Sequence, residues 1–368
     1  MAEPLVARYG LSVVHTIADA IAAVHPAFNR EAFIADCCDG FEMLGLMDRG
    51  RKIARTLRQH LPDGYAGAIE ILMKSVPETR IEHSNMSSFV YLPHVYFVAE
   101  YGLDHFDASM DAQYELTQRF TAEFSIRNYL EKYPAQTLAR LETWITDPSP
   151  HVRRLVSEGT RPRLPWAKRL PQFQQDPAPV IRLLEQLKDD ESLYVRRSVA
   201  NNLNDIWKDH PDVVIEVART WLKDAPKPRR QLVLHALRNA IKQGNVEVLE
   251  LIGFRREPEV VIRDIEFTPA AVRIGQSVSI SFVVENPDSQ THNLLVDVQV
   301  GYVKANGALR NKVFKLTSIQ LQPGQSRACS LTLKLHQMTT RTHHVGVHPV
   351  AALINGKLHP LGNFTITE

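Results

Sequence analysis

The chain has 368 residues, long enough for two domains. Its 44% hydrophobic content allows a sizeable core and excludes wholesale disorder. A formal net charge of +2, from 43 basic and 41 acidic side chains, excludes a uniformly basic nucleic-acid-coating protein but not local basic patches.

The first residues are mildly apolar but interrupted by Glu3, Arg8, His15 and Asp19, so a helix is expected there and not a signal peptide. No apolar run approaches the roughly 20 residues that span a bilayer. Cys37 and Cys38 are adjacent and Cys329 is remote. They give neither a disulfide framework nor zinc-ligand spacing, and a reducing, cytoplasmic setting is expected.

Up to residue 257 apolar residues recur three and four apart. Ile69, Leu72, Met73 and Val76 form one stripe; Leu138, Leu141, Trp144 and Ile145 a second; Val180, Leu183, Leu184 and Leu187 a third. This is the period of helices that bury one face. Asp147-Pro148, Asp176-Pro177 and His210-Pro211 punctuate them. The half also repeats itself: His151-Val152-Arg153-Arg154-Leu155-Val156 is echoed by Tyr194-Val195-Arg196-Arg197-Ser198-Val199, and more weakly by Pro228-Arg229-Arg230-Gln231-Leu232. Each Arg-Arg pair is expected to open the second helix of a helical pair, in an all-α HEAT-like-repeat solenoid over residues 1–257. One Arg of each pair would bind an Asp of a neighbouring repeat. The other, 100° around the helix, would face a groove.

Residues 151–170 hold six cations, Arg153, Arg154, Arg161, Arg163, Lys168 and Arg169, against the single acid Glu158. Such a patch suits a phosphate backbone, with Arg196 and Arg197 extending it. Pro162 and Pro165 stiffen the loop. Glu158 reads either as a salt-bridge partner of Arg154 or as an ionised acid facing developing positive charge. Trp166 reads either as packing or as a flat face for a sugar or cationic base.

After Pro258 the period becomes two. Val278, Ile280, Phe282 and Val284 alternate with Ser277, Ser279, Ser281 and Val283, and Val296, Val298, Val300 and Tyr302 do likewise. Asn286-Pro287-Asp288, Asn306-Gly307, Pro323-Gly324 and Asn355-Gly356 mark turns. About seven short strands over residues 258–368 suit an all-β immunoglobulin-like sandwich. Lys304, Arg310, Lys312, Arg341, His343 and His344 are its candidate contacts for a polyanion. Alternation puts His344 and His348 on one face, but Pro349 and the lack of nearby carboxylates argue against a metal, and neither metal nor cofactor is expected.

The run from Ser157 to Trp166, following Arg153-Arg154, resembles the signature of the AlkC branch of HEAT-like-repeat bacterial DNA glycosylases, some of which carry an immunoglobulin-like C-terminal domain. The resemblance implies a monofunctional hydrolase, acting as a monomer on double-stranded DNA away from any membrane. It would release cationic alkylated bases, notably 3-methyladenine and 3-methylcytosine, without flipping them. A carboxylate would stabilise an oxocarbenium-like sugar and position water, with an aromatic face beside the deoxyribose.

Three carboxylates are candidates for that role: Glu158 by its place in the signature; Glu123, on a helix preceding the first clear repeat, where it could instead pair with Arg127; and Asp205, in the polar helical run Asn201-Asn202-Leu203-Asn204-Asp205. A non-catalytic binder of damaged or bent DNA is the alternative, and a protein scaffold the plainest use of such a solenoid.

Overall fold

The computed structural model describes residues 5–77, 87–255, 257–337 and 342–367. It folds as two compact units: Met1–Val214 with Asp224–Ala236, and Ile215–Lys223 with Leu237–Glu368. Among the described residues the α-helices run in the order α1 (Ser12–Val24), α2 (Arg30–Cys38), α3 (Leu46–His60), α4 (Tyr65–Ser75), α5 (Leu92–Tyr101), α6 (Phe106–Arg119), α7 (Ile126–Lys132), α8 (Pro134–Thr143), α9 (Pro150–Gly159), α10 (Pro171–Gln175), α11 (Ala178–Leu187), α12 (Leu193–Ile206), α13 (Pro211–Leu222), α14 (Lys227–Ala236), α15 (Arg238–Gln243) and α16 (Val246–Leu251). None is long and apolar enough to cross a membrane.

In the first unit α9, α12 and α14 pack in succession, each opening with its Arg-Arg pair. Their apolar stripes are buried: Val152, Leu155 and Val156 on α9; Val195, Val199 and Leu203 on α12; Leu232 and Val233 on α14. Each such side chain contributes about 1.5–3 kcal/mol on leaving water, which outweighs the weak propensity of β-branched residues for helix.

The repeat is also a hydrogen-bond motif. Arg153 Nη1 donates to the carbonyls of Asp147 and Pro148 at 2.8 and 3.1 Å. Arg196 Nη1 donates to those of Asp190 and Glu191 at 2.5 and 2.8 Å. In both turns an aspartate Oδ1 accepts from the serine amide two residues on, Asp147 from Ser149 and Asp190 from Ser192. In these two repeats the first arginine of the pair therefore ties down the turn that precedes its own helix, supplying donors for carbonyls that the turn leaves unpaired.

The strands are β1 (Val261–Thr268), β2 (Ala271–Arg273), β3 (Ser277–Glu285), β4 (His292–Val303), β5 (Leu309–Leu321), β6 (Ser326–Lys334), β7 (Gly346–Ile354) and β8 (Lys357–Thr367). They form a three-stranded sheet, β1-β3-β6, and a five-stranded sheet, β2-β8-β7-β4-β5. The alternating residues of β3 and β4, including Ile280, Phe282, Val296 and Val298, fill the core between them with Phe364 and Ile366 of β8. Among the described residues eight strands stand where about seven were expected. β2, three residues long and parallel to β8, is too short for an alternation to show.

α15 and α16 belong to the same unit as the sandwich. Gly244 ends α15 at φ 71°, and Gly356 lies in the β7–β8 turn at φ 86°. A Cβ on Gly356 would sit 2.4 Å from the Gly244 carbonyl oxygen, and one on Gly244 would sit 2.6 Å from the Gly356 Cα. Asn355 Nδ2 adds a 3.0 Å hydrogen bond to the Arg255 carbonyl. Helix cap and hairpin turn thus meet backbone to backbone.

Candidate active site

α9 ends at Gly159, where α7 packs so close that there is no room for a side chain. A Cβ there would come within 2.6 Å of Ile126 Cγ2. From Thr160 the chain leaves the helix. Leu164 and Leu170 are buried and peg the loop to the unit. Between them Trp166 takes a left-handed φ of 63° and is 65% exposed. A bulky residue in that backbone region costs of order 1–3 kcal/mol, so the surrounding structure holds it there.

Beside this loop the three candidate carboxylates join one chain of ion pairs. Glu123 Oε2 lies 2.5 Å from Arg154 Nη1, and Arg154 Nη2 lies 3.4 Å from Glu158 Oε1. Arg161 Nη1 donates to Glu158 Oε1 at 2.6 Å, and its Nε donates to Asp205 Oδ2 at 2.8 Å. Lys208 Nζ closes the chain on Asp205 Oδ1 at 2.9 Å. The elements that supply it are the turn before α7, helix α9, the loop after it, helix α12 and the turn that follows α12. Ser198, on α12, donates to Glu158 Oε2 at 2.6 Å, and Ser157 donates to Ser198 at 2.7 Å. The Arg154 guanidinium also lies over the Tyr194 ring, 5.2 Å from its centroid.

Burial opposes the charge on Glu158, but Arg154, Arg161 and the Ser198 hydroxyl outweigh it and hold the carboxyl below its ordinary range. Burial likewise opposes the charges on Arg154 and Arg161. For Arg154 the carboxylates of Glu123 and Glu158 prevail, and for Arg161 those of Glu158 and Asp205, so both arginine pKa values are raised. The Glu158 carboxylate and the Arg154 and Arg161 guanidiniums are therefore charged at neutral pH.

The oxygens are not equally engaged. Glu158 has a donor on each, and so does Asp205. Glu123 takes both of its donors, Thr121 Oγ1 at 2.9 Å and Arg154, on Oε2. No donor among the described residues reaches its Oε1.

Three comparisons show what the chain as a whole resembles. The description "Uncharacterised protein YhaZ, C-terminal Ig-like domain" fits residues 261–368. "Uncharacterized protein YhaZ" of Bacillus subtilis (strain 168) is 33% identical over 359 residues, covering 97% of this chain and 98% of that protein. The structure of the alkylpurine DNA glycosylase AlkC of Pseudomonas fluorescens, bound to DNA containing an abasic site analog, superposes with a TM-score of 0.91 at 37% identity over 98% of each chain. The chain belongs to the AlkC family. Its fold is that of AlkC, HEAT-like helical repeats followed by an immunoglobulin-like domain.

Against this AlkC frame the expected basic surface is largely internal. Arg153 is buried and bidentate to Asp190, at 2.6 and 3.0 Å, as the repeat reading anticipated for one arginine of each pair. Arg161 is buried between Glu158 and Asp205. Arg163 is bidentate to Asp209, Lys168 pairs with Glu131, and Arg196 caps its own turn. Arg169 and Arg197 are exposed and make no ion pair among the described residues.

Two local expectations change. Glu123 lies in the turn before α7, not on a helix, and it pairs with Arg154 in place of Arg127. Arg127 is fully buried and spends its donors on backbone carbonyls. Burial lowers its pKa to about 10, which leaves it cationic at neutral pH. Sequence reasoning missed Ser198 and Lys208 as partners of the carboxylates. The only signal for Ser198 was its place in the echoed Arg-Arg motif.

In the second unit, a cleft of about 900 Å³ is lined by Lys242, Lys304, Arg310 and Lys312 with no carboxylate among its lining residues. Three of these four were expected from sequence, and Lys242, on α15, was not. Arg341 lies outside the described residues. His344 lines the cleft but precedes β7, so it does not alternate with His348 along one strand. His343 is buried, its ring 5.4 Å from that of Tyr302, so it packs inside the unit where a surface position was expected.

Proposed function

We propose that the chain is a monofunctional DNA glycosylase that hydrolyses the N-glycosidic bond of cationic alkylated bases, 3-methyladenine and 3-methylcytosine, in duplex DNA. The observation that carries the reading is the convergence of Glu123, Glu158 and Asp205 on Arg154 and Arg161 beside an exposed Trp166. The AlkC structure, that of an alkylpurine DNA glycosylase on DNA with an abasic site analog, supports it.

N3-alkylation leaves the base positively charged and a ready leaving group, so no general acid is required. The C1′–N bond breaks, and its electron pair neutralises the departing base. The sugar becomes oxocarbenium-like, and carboxylates placed closer to it than their paired cations stabilise that charge. Glu123 is best equipped to orient the water, because its Oε1 has both lone pairs available. The water oxygen bonds to C1′ and its proton passes to the carboxylate and then to solvent. Glu158 and Asp205, each held through both oxygens, supply fixed negative charge, and Trp166 offers its face to the deoxyribose.

Arg169 and Arg197 in the first unit, and Lys304, Arg310 and Lys312 in the second, would meet phosphates. Bending of the duplex, rather than extrusion of the base, would bring the lesion's backbone to these groups. The enzyme would act as a monomer in the cytoplasm and need no cofactor.

A second reading has one observation in its favour. Glu123, Glu158 and Asp205 are each already ion-paired, as in a purely structural network, and a non-catalytic binder of damaged DNA would need no more. Incubation with methylated duplex and chromatography of the released bases separates the two. Free 3-methyladenine or 3-methylcytosine establishes the glycosylase. Tight binding to intact DNA without release leaves the binder.

A further inference from the structure

Arg127 is fully buried, yet it makes no ion pair among the described residues. Its Nε donates to the Lys168 carbonyl at 2.8 Å, and its Nη1 donates to the carbonyls of Gly159 at 3.1 Å and Arg161 at 2.8 Å. Nη2 is buried with no partner. A buried cation whose hydrogen-bond acceptors are all neutral carbonyls is costly to keep, and neutral packing would be the cheaper way to fill the space.

What the three carbonyls share is their place in the chain. Gly159 and Arg161 begin the loop that displays Trp166, and Lys168 ends it. A 3.1 Å bond from the Leu170 amide to the Pro162 carbonyl closes the loop's neck. One planar guanidinium therefore grips both ends of a segment whose tip holds an indole in a left-handed backbone conformation, 65% exposed. A lysine, with a single nitrogen, could not span the three acceptors. The loop also carries Arg161, the link between Glu158 and Asp205.

The geometry points to Arg127 as a positioning residue, the clasp that fixes the 159–168 loop and so presents Trp166 and orients Arg161 at the carboxylate chain. The assignment of a role to Trp166 rests on the glycosylase reading; the clasp itself does not.

The test uses the full chain labelled with 5-fluorotryptophan, which gives four fluorine resonances, from Trp144, Trp166, Trp207 and Trp221. Trp166→Phe assigns the loop signal. In Arg127→Met the Trp166 resonance is expected to shift or broaden while the other three stay in place. Single-turnover excision should fall at least about tenfold, because small misplacements of a reacting array cost that much, with affinity for undamaged duplex kept within about threefold.

Arg127→Lys, which keeps the cation but not the span, should show the same selective change and covers the case in which the methionine variant fails to fold. A folded variant whose Trp166 resonance is unmoved overturns the clasp, and so does a uniform shift of all four signals, which would make Arg127 a general packing residue. Absence of excision by the native chain would strike the glycosylase reading alone, since the fluorine signals report the loop regardless of chemistry.

Discussion

The Ser198 hydroxyl donates 2.6 Å to Glu158 Oε2 from across a repeat boundary, 40 positions along the chain. Both residues are buried, at 3% and 5% exposure. The bond makes the ionisation of a candidate catalytic acid depend on the stacking of α12 against α9.

Ser198→Ala should therefore act on Glu158. Burial opposes the Glu158 charge, and Arg154, Arg161 and Ser198 together overcome it. Removing one donor moves the folded pKa back up. Because the folded value lies below the ordinary 4.5, the carboxylate's contribution to stability is complete above the unfolded value and is lost as pH falls through the folded one. The acid limb of the excision rate and the acid unfolding midpoint should both move to higher pH, with a loss at neutral pH of about 1–3 kcal/mol in stability. Unchanged acid limbs in rate and denaturation would dismiss the coupling.

Glu123→Gln and Glu158→Gln should differ. Both remove a negative charge from the site, and both should leave duplex affinity intact or improved. Glu158→Gln should abolish excision. Glu123→Gln should lower it about 10²–10⁴-fold, the usual value of a positioned base. Single-turnover assays on methylated duplex measure each, and loss of affinity with unchanged turnover would remove the residue concerned from the chemistry.

Arg153→Ala should behave as a core mutation. It leaves Asp190, whose side chain is 4% exposed, without its bidentate partner. Breaking such a buried pair costs about 3–5 kcal/mol. A falling unfolding midpoint in denaturant, with the salt dependence of DNA binding unchanged in protein that remains folded, is the expected pair of results.

Arg169→Ala and Arg197→Ala should do the reverse. Both side chains are exposed and unpaired among the described residues. Each substitution should weaken binding to any duplex and reduce the slope of log affinity against log salt by about one, with little change in thermal stability. An unaltered slope would place that arginine away from the phosphates.

The architecture was legible because periodicity reports which face of an element is buried. It does not report what that face is buried against, and so α15 and α16 read as more of the helical half although they pack with the sandwich. The charge of residues 151–170 misled for a related reason. The partners that neutralise it, Asp190, Asp209 and Glu131, lie 37 to 46 positions away, outside any local window. Glu123 shows the same limit: an i,i+4 partner stands in the sequence at Arg127, but the turn before α7 takes Glu123 off the helix and toward Arg154. Glu158 could be named from its place in the signature run and Asp205 from the polar helical run 201–205, both local features of the sequence.

The contact between Gly244 and Gly356 bears on how this protein could have been put together. Two backbones touching at 2.4 Å from a hypothetical methyl leave no tolerance for a side chain on either. A recombination event that cut at Pro258, where helix gives way to strand, would deliver a sandwich whose Asn355–Gly356 hairpin had lost its seat. An inheritable module must bring α15 and α16 with it, and descendants that exchange this domain should break no later than Leu237 and keep glycine at both positions.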